Sequence, residues 1–469
     1  MKEYTAMLIF LLMFVVSSCK ITKDIPKVTA DLPDHFRGQY DVDTTSIADL
    51  PWSTFFLDTT LQRLITNAIE HNYDMEIALK NIEAAQLIFA QVRSNYLPQA
   101  SLQISTTSSR PSDNSLNGLS LNEFLGSSHI EDYTAVINMS WEADIWGKIR
   151  NQQKSAMAGY LQSKEARKAV QTYIVSWIAR GYYNLMMLDK QLFIARKNLT
   201  LNDSTLEIIR LQFNAGQVSS LAVQQAEAQQ QLAAQLIPQF EQGINIQENA
   251  LKILSGELPG SINRNQTFEE LTLPENLSAG IPSDIVGRRP DVKSRELALV
   301  TVSANLGITK ANMYPALRIT ASGGVNSIMA SNWFNIPASL FGAVAGSVIQ
   351  PVFQQKRLRT QYELAQVEQQ RAVAEFRKSV LNAVGETSDA LARIDKLKEQ
   401  ENIALLRTQN LRQATQNARM LFQNGMANYL EVITAQGNVL QSELTLTSIK
   451  RDRFHAVTDL YAALGGGWK

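Results

Sequence analysis

Two hydrophobic rhythms take turns along this chain, and the pair of them occurs twice. Leu102-Gln103-Ile104-Ser105-Thr106 and Leu317-Arg318-Ile319-Thr320-Ala321 alternate apolar and polar residues. That period predicts β-strands, whose successive side chains face opposite sides. Tyr133 to Trp141 repeats the alternation, with Tyr133, Ala135, Ile137, Met139 and Trp141 on one face, whereas Leu340 to Ile349 is apolar and small on both faces. Within each pair the strands are separated by a polar stretch, Ser108 to Glu131 in the first and the shorter Asn326 to Pro337 in the second. Ahead of each pair lies a helical stretch, Leu61 to Val92 and Asp291 to Ala311, ended by Asn95-Tyr96-Leu97-Pro98 or Met313-Tyr314-Pro315. Proline disfavours helix in the residue before it.

After each pair the rhythm lengthens. No proline occurs from Ser112 to Ile237 or from Val352 to the end, and Ala, Gln, Glu, Leu, Lys and Arg, all good helix formers, fill both stretches. Trp146 to Asn214 and Phe353 to Asn424 read as near-continuous helices interrupted only by single glycines at 159, 181 and 385. Roughly 70 residues make a helix of about 100 Å, which must pack laterally, in the manner of a coiled coil. Gly216 and Gly425 are suited to close these helices and reverse the chain. A return helix is then assigned to 219–256 in the first case, with Pro238 as the point where its proline-free run ends, and to 428–464, ending at about Leu464, in the second.

The two rounds are copies of one another. Phe213 and Phe422, Gly216 and Gly425, Leu221 and Leu430, Leu251 and Leu460, and Gly256 and Gly465 all align at a constant offset of 209. The chain therefore divides into a leader (1–18), an N-terminal extended segment (19–58), a first repeat (59–257), a linker (258–282) and a second repeat (283–469). The first repeat holds strands near 100–108 and 132–142 and a long helix over 146–214. The second holds strands near 315–325 and 340–350 and a long helix over 353–424.

Composition narrows the class. The 44 basic and 44 acidic residues cancel, which disfavours nucleic acid as a partner. Past the first twenty residues no apolar run reaches the length of a membrane helix, but short alternating membrane strands remain open. Lys2 and the apolar Met7 to Val16 form a secretory signal, and Val16-Ser17-Ser18 leads into Cys19, the sole cysteine. This placement resembles a bacterial lipobox, in which Cys19 becomes the N-acylated, S-diacylglycerol-bearing first residue; a plain signal with an incidental cysteine is the alternative. His35, His71, His129 and His455 have no ligand spacing, and no P-loop, dinucleotide fingerprint or nucleophile elbow appears. The expectation is a protein that is not an enzyme and needs no cofactor beyond that lipid. Four strands cannot close a barrel, and open edges are not tolerated in lipid. Either the chain oligomerises or its strands stay out of the membrane. Three copies would supply twelve strands, although strand number alone does not select three.

Val286-Gly287-Arg288-Arg289-Pro290-Asp291-Val292, Trp141-Glu142-Ala143-Asp144-Ile145-Trp146-Gly147-Lys148 and the terminal Leu460-Tyr461-Ala462-Ala463-Leu464-Gly465-Gly466-Gly467-Trp468 resemble segments of the TolC-type outer-membrane factors. The likeness covers the whole mature chain and points to the lipoprotein branch serving resistance-nodulation-division efflux pumps. The resemblance implies a mixed α+β membrane protein: a homotrimer whose twelve-stranded β-barrel continues into a long periplasmic α-helical barrel with an equatorial domain. Implied partners are a periplasmic membrane-fusion adaptor, an inner-membrane resistance-nodulation-division pump and outer-membrane lipid. The implied function is an exit duct for drugs and other small molecules. A type I protein-secretion duct and a non-channel coiled-coil lipoprotein are the alternatives.

In such a duct the helix reversals form the periplasmic entrance. The family pattern places a constricting leucine at Leu430 and acidic positions at Glu431 and Thr434, of which only Glu431 keeps its charge. Leu221 and Gln225 hold the equivalent first-copy gate positions, along with the uncharged Ala222. The tips Ala215, Gly216, Gln217 and Val218, and Asn424, Gly425, Met426 and Ala427, are the implied adaptor contacts. Each has a plainer reading, with Leu430 as packing and Glu431 as a solvated charge. For Arg288, Arg289 and Asp291 the structural reading is preferred, with Pro290 and Asp291 opening a helix.

Overall fold

The computed structural model describes residues 33–37, 46–274 and 277–469. The signal segment and Cys19 lie outside the described residues. In chain order the main elements are helices α1 (Thr59–His71) and α2 (Tyr73–Arg93), strand β1 (Gln99–Ser109), helix α3 (Leu116–Leu125), strand β2 (Ile130–Glu142), and helices α4 (Lys148–Asn214) and α5 (Ser220–Leu254). Helix α6 (Pro290–Ala311), strands β3 (Ala316–Ser327) and β4 (Leu340–Ile349), and helices α7 (Arg357–Gln423) and α8 (Tyr429–Ala463) follow. The duplication is written into these bounds. Helices α4 and α7 are each 67 residues long, α5 and α8 each 35, and both pairs keep the 209-residue offset at both ends. Ahead of the strand pairs the offset is 217, as between Tyr73 and Pro290, the first residues of α2 and α6. The difference of eight is the excess of the β1–β2 connection, 110–129, over the β3–β4 connection, 328–339.

The chain forms two compact units, one of residues 84–161 and 297–374 and one of residues 33–83, 162–296 and 375–469, within the described residues. In the first, four antiparallel strands lie in sequence order, β1-β2-β3-β4. Leu102 faces Ile137, Trp141 faces Ile319, Ala321 faces Val344 and Leu317 faces Val348. Since side chains alternate, this register gathers the apolar residues on one face, opposite Gln103, Ser105, Asn138, Ser140, Thr320 and Ser322. The apolar face is bare: Leu102 and Ile104 are about two-thirds exposed and Val344 is 80% exposed. Both outer edges of the sheet are unpaired among the described residues.

The polar stretch between β1 and β2 is not all loop. It holds α3, whose Leu116 and Phe124 are exposed. The second unit packs α1 through Leu61, Leu64, Ile65 and Ala68, with Phe55 stacked on Tyr461 at 4.0 Å. Arg264 binds Asp189 through Nε and Nη2 at 2.7 and 2.6 Å and also reaches Glu248, fastening the linker to the helices.

One helical expectation needs correction. The stretch from Leu61 to Val92 breaks at Asn72, whose Oδ1 accepts from the Asp74 and Met75 amides while its Nδ2 donates to the Leu254 carbonyl. A side chain competing for backbone groups in this way starts a new helix. Conversely, the first return helix does not stop at Pro238 but continues to Leu254, in keeping with the 219–256 assigned to it. One backbone bond is lost there, and burial of Phe240, Ile244 and Leu251 beyond the proline holds the helix together.

Candidate functional site

Both helix reversals are built alike. The Gly216 amide donates to Phe213 and the Gln217 amide to Gln212, at 2.9 Å each; Gly425 and Met426 repeat this to Phe422 and Leu421 at 3.0 and 2.8 Å. These are Schellman turns, and their φ values of +70° and +73° explain the two glycines. Ala215, Gly216, Gln217, Asn424, Gly425 and Met426 are exposed, whereas Val218 and Ala427 turn inward. They pack on a cluster joining both copies: Leu206, Ile209, Ala222 and Ala226 from the first hairpin, Phe422 and Val432 from the second.

The gate candidates lie one turn further on. Leu221 and Leu430 are each about half exposed, at 55% and 51%, and Thr434 is exposed. Gln225 is half-buried, and its Oε1 has no hydrogen-bond partner among the described residues. Glu431 has structural work to do. The Asn428 side chain accepts from the Glu431 amide and donates to its Oε1, both at 3.1 Å. Glu431 is thus the third residue of a capped helix start, a signature readable as Asn428-x-x-Glu431.

Behind the tips the helices are joined by polar side chains, which the sequence reading passed over. Gln436 donates to Thr205 at 2.8 Å, Thr408 and Ser442 share a 2.8 Å bond, and Thr415 donates to the Ala435 carbonyl at 3.0 Å. Gln436 and Asn202 are almost fully buried, yet Gln436 Oε1 and Asn202 Oδ1 find no partner among the described residues. A buried polar layer that is incompletely satisfied holds its helices less tightly than an apolar one.

The motif residues serve to fasten the chain. Arg289 grips its own Asp291 with two bonds of 3.0 and 2.7 Å, and its Nη1 reaches Glu386 at 2.7 Å and the Ala463 carbonyl at 3.0 Å. Burial opposes the Arg289 charge, but Asp291 and Glu386 more than offset this and raise its pKa; in return Asp291, although desolvation pushes it up, is held below the usual carboxylate range by Arg289. Gly465, at φ +90°, packs on the Arg288 carbonyl with no room for a side chain. The first copy repeats the same bond: Asn72 to the Leu254 carbonyl corresponds to Arg289 to the Ala463 carbonyl, at the offsets of 217 and 209. In the third motif, Trp141 Nε1 donates to the Tyr96 carbonyl at 2.9 Å and Trp146 Nε1 to the Pro315 carbonyl at 2.6 Å, while Asp144 accepts from the Ile149 and Arg150 amides and caps α4.

Aromatic residues mark both ends of the bare sheet face. Trp141, Trp146, Tyr96 and Tyr314 gather at one end, and Tyr133, Trp333 and Phe334 at the other, with ring separations of 5.6 and 5.0 Å. The eight steps of β2 from Tyr133 to Trp141 span roughly 27 Å at about 3.4 Å per residue, close to the ~25 Å apolar band of a membrane barrel flanked by aromatic girdles.

Known proteins agree with this arrangement. The chain is 27% identical to the cation efflux system protein CusC of Escherichia coli O6:H1, covering 98% of each. It is 26% identical to the probable outer membrane lipoprotein SilC of Salmonella typhimurium, covering 97% of each. Its fold superposes on the open state of the Neisseria gonorrhoeae MtrE outer membrane channel with a TM-score of 0.86 at 23% identity, covering 96% of this chain and 99% of that one. Residues 64–257 and 281–466 match the model of the outer membrane efflux proteins, one match per repeat. This chain belongs to the outer membrane efflux protein family, whose members are channels and not enzymes.

Proposed function

We propose that the protein is the exit duct of a tripartite efflux pump, a passive outer-membrane conduit for drugs and other small molecules. The observation that carries this reading is the four-stranded sheet, with one apolar face bare between aromatic bands and both edges unpaired. Such a sheet is stable in lipid only when its edges are closed, and three copies close them as a twelve-stranded barrel. The helices support the same assembly. Leu232, Ile246 and Ile253 are exposed on α5 at multiples of seven residues, as are Leu406 and Met420 on α7, the spacing of a coiled-coil seam. Three hairpin pairs meeting along such seams form the α-helical barrel, with the Schellman turns at its periplasmic mouth.

In this reading Leu430, Glu431, Thr434, Leu221 and Gln225 line the gate. Residues 215–218 and 424–427 receive the periplasmic adaptor, which connects to an inner-membrane resistance-nodulation-division pump. The lipid on Cys19 adds an anchor, a reading in keeping with the lipoprotein name of SilC. The polar layer behind the tips suits a gate that must loosen without unfolding.

The test is reconstitution of the full chain into planar bilayers, with chemical cross-linking of the same sample. Single-channel currents from a trimeric species are expected. A protein recovered as a soluble monomer and electrically silent would remove the duct reading.

A further inference from the structure

We propose that a cleft beside the tip cluster, walled by α4 and α7 and floored by α8, binds a small anionic amphiphile. The cleft encloses about 560 Å³, within the range of roughly 300–1,000 Å³ usual for small-molecule sites. Ile194, Leu201 and Val439 provide an apolar surface, and Lys197, Arg412 and Arg419 bring three cations to it. The one carboxylate in the lining, Glu443, is taken by Arg412 at 2.6 Å. Lys197 and Arg419 make no ion pair or hydrogen bond with any described residue, so two positive charges stand uncompensated over an apolar floor. Asn198 is 6% exposed, and its oxygen is used by Asn202 at 2.8 Å. Its amide nitrogen makes no bond within the described residues.

This combination selects a ligand by chemistry. Burial of a hydrocarbon body against Ile194, Leu201 and Val439 supplies affinity in proportion to the area removed from water. Lys197 and Arg419 favour a sulfate, sulfonate or carboxylate head and disfavour a cationic one. Position gives the site a consequence. Ser204 and Arg419 in its lining lie within two residues, along their helices, of Leu206 and Ala418 of the tip cluster. An occupant touches the first hairpin through α4 and the second through α7 and α8. It therefore ties together the two hairpins that the proposed gate must separate, a consequence that rests on the gate reading although binding itself does not.

Equilibrium dialysis of the full chain in lipid nanodiscs tests the site, with radiolabelled octyl sulfate below its micelle concentration and empty nanodiscs as reference. Octyl glucoside and octyltrimethylammonium present the same tail with a neutral and a cationic head. Saturable binding of octyl sulfate alone is expected, weakened at least about tenfold in the double variant Lys197→Gln/Arg419→Gln, which removes some of the binding free energy from a surface without partners to disturb. Ser204→Phe, which fills the cleft and leaves its charges, is expected to abolish it. Binding no greater than to empty nanodiscs, equal binding of the neutral probe, or full binding by the double variant each overturns the proposal. Bilayer conductance is read separately, so a failed channel reading leaves the dialysis result intact.

Discussion

At the scale of single residues, side chains the family likeness marks as functional turn out to have structural partners. Asn428 caps α8 and also donates to the Glu431 carboxylate, and this separates two explanations of what the charge of Glu431 does. Glu431→Gln keeps an acceptor for Asn428 Nδ2 and removes the charge, whereas Glu431→Ala removes both and leaves only the Asn428 bond to the residue-431 backbone amide. If a carboxylate ring governs the gate, single-channel recordings will show altered cation selectivity and conductance in both variants. If only the cap matters, the change will be confined to Ala. His455 gives a second expectation. Its Nε2 is 2.9 Å from the Arg180 carbonyl, so that nitrogen donates, and burial, reinforced by Arg451 and Arg180 against Asp452, pushes its pKa from 6.5 down to about 4. The native protein therefore binds fewer protons than the unfolded chain between those values. The stability is fully present above about pH 6.5 and is lost as pH falls toward 4. His455→Gln retains a donor and cannot titrate there, so melting temperatures measured across this window should fall less steeply with acid than those of the parent.

At the scale of elements, the sequence shows repeats, strands and long helices plainly because their periods are long and regular. The strands of β1, β2 and β3 announce themselves by alternation, and the constant offset finds both tip turns. What escaped was decided by single contacts between distant residues. Nothing near Asn72 reveals that Leu254 will offer it a carbonyl, and nothing near Pro238 reveals that Phe240 and Ile244 will be buried beyond it. Helix α3 was hidden by the polar composition around it. The proposed gate positions were legible only through the family pattern, because a half-exposed leucine on a helix has no signature of its own. The docking of return helix on entry helix is an element-scale device, and it can be tested as one. Arg289→Ala leaves Asp291, Glu386 and the Ala463 carbonyl without their shared donor. Because the two carboxylates are about half exposed, the loss should be about 2 kcal/mol and not the larger penalty of a fully buried pair. A lower thermal transition in the solubilised protein, with the helix content of the folded baseline unchanged, would confirm a local fastening.

At the scale of the whole molecule, the sheet cannot be understood from one chain. On the proposed duct reading its bare face and open edges are closed only when copies join, which makes assembly and membrane entry one problem. Val344 is a sensitive probe, being 80% exposed on the strand β4 at the sheet edge. Val344→Arg should cost about 2–4 kcal/mol near the middle of a bilayer. Fractionation should then find the variant depleted from the outer membrane, while Ser322→Arg on the opposite, polar face should be tolerated. Equal recovery of the two would mean that this face does not meet lipid.

The equal lengths of the paired helices have one more consequence. Since α4 matches α7 and α5 matches α8 residue for residue, the two hairpins act as rulers cut to the same measure. Each is pinned at one end by a turn and at the other by a bond to a helix-end carbonyl. Removing one turn of helix from a single hairpin would draw its tip back by about 5.4 Å, pulling Phe422 and Val432 out of level with Leu206, Ile209, Ala222 and Ala226. Lineages of this protein should therefore vary freely in the unequal strand connections but change helix length in both copies together.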